Sequence, residues 1–103
     1  MERAVRFQLN LPLRYRRPGE TRWRQARSKN VSRSGVLFWT DTPLSPGVDL
    51  EICLALTTAK RAAPRAEVLC SAQVVRCEDA PPHGPPMVAA TFREYRFMPP
   101  RMA

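Results

Sequence analysis

The sequence predicts an all-β fold, a small antiparallel barrel or sandwich of about six short strands with little or no helix. Residues 48–56 give the cleanest reason. Val48, Leu50, Ile52, Leu54 and Leu56 fall on one face of an extended chain, and Asp49, Glu51, Cys53 and Ala55 on the other. Eleven prolines and four glycines cut the remaining chain into short runs bounded by turn chemistry. No segment longer than about ten residues carries helical periodicity. A chain of 103 residues fits one such domain, with a modest core and no internal repeat.

The elements follow in order. Residues 1–8 read as a flexible basic N-terminal arm, 9–97 as the barrel and 98–103 as a tail. Leu9, Leu11, Leu13 and Tyr15 alternate with polar residues and predict a half-buried first strand. Pro12 lacks an N–H, so this strand is expected at an edge, or with that position outside the ladder. Arg17-Pro18-Gly19-Glu20 has the composition of a β-turn, and residues 22–31 return as a polar, largely exposed strand. Residues 35–40, Gly-Val-Leu-Phe-Trp-Thr, form a short apolar strand. The breaker-rich stretch 41–47 leads to the alternating strand 48–56, and 57–65 is a polar loop. Residues 66–77 place Val68, Cys70, Ala72 and Val74 in register on one side. The proline-rich stretch 79–86 is an exposed loop, and His83 within it is read as a solvated side chain. Residues 87–94 close the sheet with Val88, Ala90 and Phe92 inward, after which Tyr95, Phe97 and Met98 dock on the barrel end.

Charge is distributed unevenly. Through Arg33, nine arginines and Lys29 oppose only Glu2 and Glu20; from Ser34 onward, cations and acids cancel. The formal charge of +8 therefore belongs to one third of the chain, which favours an anionic partner such as a nucleotide, a nucleic acid or a lipid headgroup. Fifteen of the seventeen basic residues are arginine, the side chain suited to bidentate phosphate contacts and to stacking on bases. Cys53, Cys70 and Cys77 are odd in number and contain no C-x-x-C pair, so they read as reduced thiols without a zinc pattern. No apolar run resembles a signal peptide or reaches the ~20 residues of a membrane-spanning helix, so a soluble cytoplasmic protein is expected. There is no nucleophile–base pair, carboxylate pair or metal cluster from which to assemble an enzyme.

Residues 30–35, Asn-Val-Ser-Arg-Ser-Gly, lie where the basic third meets the neutral body. In an extended segment Asn30, Ser32 and Ser34 share one face, opposite Val31, Arg33 and Gly35. The first three offer an amide and two hydroxyls. Gly35 removes a side chain where a backbone turns or another group approaches closely. A strand ending in a turn uses the same residues, so composition alone leaves both readings standing.

The order of elements is similar to that of the PilZ domain family over nearly the whole chain. The resemblance rests on the strand Leu11-Pro12-Leu13-Arg14-Tyr15 after a basic arm and on N-x-S-x-x-G at Asn30, Ser32 and Gly35 before an apolar strand. It also rests on P-L-S-P-G-V at 43–48, on Val74-Val75-Arg76, and on F-x-x-Y-x-F at Phe92, Tyr95 and Phe97. It implies a six-stranded antiparallel β-barrel that binds the bacterial second messenger cyclic di-GMP. The family places an R-x-x-x-R arginine pair in its arm and [D/N]-x-S-x-x-G on the barrel. Carried over, the implied ligand-binding residues are Arg3, Arg6, Asn30, Ser32 and Gly35. The arm departs from the pattern. Arg3 and Arg6 are three positions apart rather than four, and Glu2 stands where an arginine partner of Arg6 belongs.

The leading expectation is thus a non-enzymatic cyclic di-GMP receptor module coupled to a protein partner, with no cofactor or metal. A PilZ-like adaptor that works through protein contacts without nucleotide is the second reading. A small basic barrel binding single-stranded nucleic acid, stacking bases on Trp23, Phe38 and Trp39, is the third and least favoured.

Overall fold

The computed structural model describes residues 5–56, 66–78 and 84–98. They form six strands: β1 (Pro12–Arg16), β2 (Arg24–Ser32), β3 (Gly35–Trp39), β4 (Asp49–Leu56), β5 (Ala66–Glu78) and β6 (Met87–Met98). All pair antiparallel and close into a barrel in the order β1-β2-β3-β6-β5-β4. The barrel answer to the barrel-or-sandwich choice is settled by two long-range pairings. β3 lies against β6, and β1 against β4.

The interior is filled as the alternation requires. Leu50, Ile52 and Leu54 of β4 meet Val68, Cys70, Ala72 and Val74 of β5, with Phe38, Val88 and Ala90 completing the core. Tyr15 packs its ring 5.5 Å from that of Phe38, and burial of its hydroxyl raises the phenol's pKa. The β1–β2 turn is tight. Glu20 N–H donates to the Arg17 carbonyl at 3.1 Å, and Gly19 sits at φ +91°, where an L side chain would be strained.

Two expectations are corrected. The first strand is not an edge, because closure gives β1 a partner on each side; Pro12 is accommodated as its first residue, and residues 9–11 lie outside it. The last strand does not stop at Glu94. β5 is long enough to pair Tyr95, Arg96, Phe97 and Met98 as well, so these continue β6 instead of folding back. His83 and the 57–65 loop lie outside the described residues.

β2 contains the irregularity that positions the arm. Ala26 and Ser28 face inward, and so does Val31; a strict alternation would have turned Asn30 into the core. A bulge resolves the conflict. Ser28 pairs with Phe38 and Asn30 with Leu37, leaving Lys29 as the extra residue. On the other side of β2, the buried Ser28 hydroxyl accepts from Leu11 N–H at 2.9 Å and donates to the Leu9 carbonyl, while Ser28 N–H donates to the Leu11 carbonyl at 3.0 Å. Further along, Phe7 and Val31 exchange backbone hydrogen bonds at 2.8 and 2.9 Å. Residues 7–11 are thereby tied to β2 although they belong to no strand.

Four outcomes follow from this packing. Ser28→Ala leaves the Leu11 N–H and the Leu9 carbonyl without partners and should lower stability by about 2 kcal/mol in denaturant unfolding. Gly35→Ala should cost about 1–3 kcal/mol, since a Cβ there would sit 2.4 Å from the Ala90 carbonyl oxygen of β6 and force the two strands apart. For the thiols, burial pushes Cys70 up to about 12 and raises Cys53 in the same direction, so native protein near pH 8 should alkylate at the partly exposed Cys77 and spare the other two. Because native Cys70 keeps its proton while the unfolded chain releases it, stability should be lost as pH rises from the ordinary thiol range toward about 12.

Candidate functional site

On the outer wall, the β2–β3 turn and the adjoining parts of β5 and β6 enclose a shallow cleft of about 170 Å³. Arg6, Ser34, Gly35, Arg76, Ala89 and Thr91 line it, together with Ser32. Each arrives for a local reason. The Phe7–Val31 bridge fixes the arm one residue after Arg6, and Arg6 donates from its guanidinium to Asn30 Oδ1 at 2.9 Å. Asn30 is available because the Lys29 bulge has turned it outward.

The turn itself is held by hydroxyls. Ser32 Oγ lies 3.1 Å from Ser34 Oγ and accepts from Ser34 N–H at 3.1 Å. The Ser34 carbonyl in turn accepts from Phe92 N–H at 2.9 Å and from the Thr91 hydroxyl at 3.1 Å. Gly35 lets β6 come close enough for these bonds. Within N-x-S-x-x-G, then, Asn30 meets the arm, Ser32 closes the turn, and Gly35 admits the neighbouring strand.

Of the five residues expected at the site, Arg6, Ser32 and Gly35 line this cleft, and Asn30 adjoins it through its bond to Arg6. Arg3 lies outside the described residues. Sequence reasoning did not place Arg76 or Thr91 here. Arg76 reaches the cleft through a second bulge, in which Val74 pairs with Ala90 and Arg76 with Ala89, leaving Val75 extra and exposed. The signal was present in the sequence. Val74 and Val75 stand in succession where strict alternation fails, and such a break marks a bulge.

Chemically the cleft suits an anion with a polar planar edge. Arg6 retains further N–H donors after serving Asn30, and the Asn30 amide keeps its own NH₂. Arg76 adds a second guanidinium, ion-paired at 2.9 Å to Glu78 on its exposed side. Ala89 adds an apolar residue to the lining.

Elsewhere the basic excess is partly spent within the barrel. Arg16 pairs with Glu51 at 2.7 Å and Arg14 with Glu67 at 3.6 Å, and both guanidinia stack on the Trp23 ring, 4.1 and 4.8 Å from its centre. The three aromatic residues considered for base stacking therefore form no platform. Phe38 is in the core, Trp23 is covered by arginines, and Trp39 stands on the outer wall opposite Arg27.

Comparisons with known proteins agree with this geometry. A search of curated proteins returns no match. Among solved structures, the chain superposes on the Bacillus subtilis inhibitor of motility, MotI/DgrA, with a TM-score of 0.75 over 93% of its length at 17% identity. It spans 44% of that longer protein, and at this identity the likeness is one of fold. The sequence profile of the PilZ domain matches residues 2–96. A closed six-stranded barrel, with its N-x-S-x-x-G turn set against an arginine-bearing arm, and a match over nearly its full length assign the chain to the PilZ domain family.

Proposed function

We propose that this PilZ domain is a non-enzymatic receptor for cyclic di-GMP, which passes occupancy to a protein partner through its N-terminal arm. The supporting observation is the 2.9 Å contact between Arg6 and Asn30 at the lip of the cleft. It brings a guanidinium, suited to phosphate and to the face of a base, beside an amide suited to a purine edge. In this reading the ligand replaces Asn30 as the partner of Arg6. The freed carboxamide and the Ser34 hydroxyl then face the base, and Arg76 balances phosphate charge from the opposite side. Arg3 reaches the same ligand from further out on the arm. The family's association with this dinucleotide fits the charge of the cleft.

The arm's departure from R-x-x-x-R favours a second reading, an adaptor that acts through protein contacts without nucleotide. Calorimetric titration with cyclic di-GMP separates the two. Arg6→Ala should weaken binding by roughly 1.5–3 kcal/mol, the range for loss of a charge-assisted contact, and Arg3→Ala should cost less. Glu2→Arg restores the four-residue spacing to Arg6 and removes an opposing charge, and should tighten binding about tenfold. If the natural chain does not bind and Glu2→Arg does, the adaptor reading replaces the receptor. If neither binds while circular dichroism reports an intact barrel, cyclic di-GMP is not the ligand.

Binding should also tolerate salt. Two phosphates give a shallow dependence, whereas single-stranded nucleic acid neutralises many and weakens steeply. Tight binding confined to oligonucleotides would support the third reading instead.

A further inference from the structure

The end of β6 is among the strand lengths that have no second neighbour among the described residues. β3 begins at Gly35, which pairs with Thr91, and the last bond from this side to β6 is Phe92 N–H to the Ser34 carbonyl. β6 runs on to Met98 against β5 alone among the described residues. Residues 93–98, Arg-Glu-Tyr-Arg-Phe-Met, therefore form a free edge, and all six are exposed. Ala72 pairs with Phe92 and Ser71 with Glu94, leaving Arg93 as a bulge, so Tyr95 and Phe97 pair with the inward-facing Cys70 and Val68 and share the inner side of the sheet with Phe92. In a strand, residues sharing a face also point their N–H and C=O groups to one edge. Tyr95 and Phe97 thus present theirs in the direction Phe92 uses toward Ser34, where β3 no longer reaches.

This edge also borders an apolar groove of about 240 Å³ at the barrel mouth, into which Phe7, Leu9, Leu56, Tyr95 and Phe97 project. Each of these is exposed, Phe97 the most among Tyr95, Leu9 and Leu56, at 68%. An exposed, aromatic-rich edge that ends in a double proline, Pro99-Pro100, is a template for one more strand of limited length.

The charges select the strand. When two copies of 93–97 are laid antiparallel with Tyr95 opposite Tyr95, Glu94 of each falls opposite Arg96 of the other. Both Glu94 and Arg96 lie on the outer face, so the pairing forms two cross-strand ion pairs. The same register makes the two tyrosines a hydrogen-bonded pair through the N–H and C=O groups described above. Phe97 is carried past the dyad onto the other copy's edge. The edge is complementary to itself, as a two-fold interface requires.

We infer that β6 is a dimerisation edge, and that a second copy of this chain adds its residues 93–97 antiparallel across a two-fold axis at Tyr95 to join two barrels into one continuous sheet. This inference is independent of nucleotide binding. Sedimentation equilibrium of the full chain, without nucleotide, tests it. The natural protein should show a concentration-dependent monomer–dimer equilibrium. Glu94→Arg alone and Arg96→Glu alone each convert both ion pairs into like-charge pairs, and each should weaken the dimer about tenfold or more. The doubly exchanged chain, Glu94→Arg with Arg96→Glu, should regain the affinity. Most tellingly, an equimolar mixture of the two single variants should form a heterodimer, because every cross-strand pair is again of opposite sign. Circular dichroism and a thermal midpoint check that each variant retains the barrel. A natural chain that stays monomeric into the high micromolar range overturns the inference. So does a dimer that neither single exchange weakens, or a mixture that shows no preference for the heterodimer.

Discussion

The arrangement depends on one buried hydroxyl. Ser28 lies inside the barrel wall at the point where β2 bulges, and it satisfies two backbone groups of a segment that has no strand of its own. A buried amide or carbonyl without a partner is costly, so the chain from Leu9 to Leu11 has a single favourable seat against β2. Everything outward of that seat inherits its position. The Phe7 bridge follows in register, and Arg6 comes to rest over Asn30. Without the bulge, Asn30 would point into an apolar core and Val31 out of it. The same irregularity therefore exposes the amide and anchors the arm that meets it.

Much of the barrel was legible in the sequence because its core strands alternate strictly. Val68, Cys70, Ala72 and Val74 are all buried, as the period-two pattern requires. The errors arose where tertiary pairing overrules local pattern. Nothing near Pro12 reveals that β1 will acquire a second neighbour, since β4 lies far along the chain. Nothing near Tyr95 tells how far β5 extends to receive it. The site was legible in part, because a short polar motif before an apolar strand marks a turn. What the residues do within that turn could not be read from spacing. Ser32 is turned inward on its own hairpin, and Gly35 answers to the carbonyl of Ala90, a residue 55 positions later.

Charge shows a similar division. The basic third of the chain looked like one anion-binding surface, yet the barrel divides it. Arg14 and Arg16 are paired with carboxylates of β4 and β5 and stacked on Trp23, an arrangement that stiffens the outer face of β1. Exposed pairs of this kind contribute little stability individually, but they withdraw those arginines from the field around the cleft. Arg6 and Arg76 line the cleft, brought there by an arm and a bulge, with Arg76 keeping its own pair to Glu78.

The cleft spans the seam between β3 and β6, strands separated in sequence by the whole of β4 and β5. Hairpins β1–β2, β2–β3, β4–β5 and β5–β6 join sequence neighbours, whereas this seam, like β1–β4, joins strands far apart in the chain and costs more loop-closure entropy to form. An intermediate in which the β3–β6 seam is open has the N-x-S-x-x-G turn on one side and Arg76 on the other, and so has no site, whereas opening at β1–β4 leaves the cleft whole. A ligand that bridges the turn and Arg76 favours the closed seam over the open one. In the receptor reading, occupancy and closure of this seam are linked equilibria, each favouring the other.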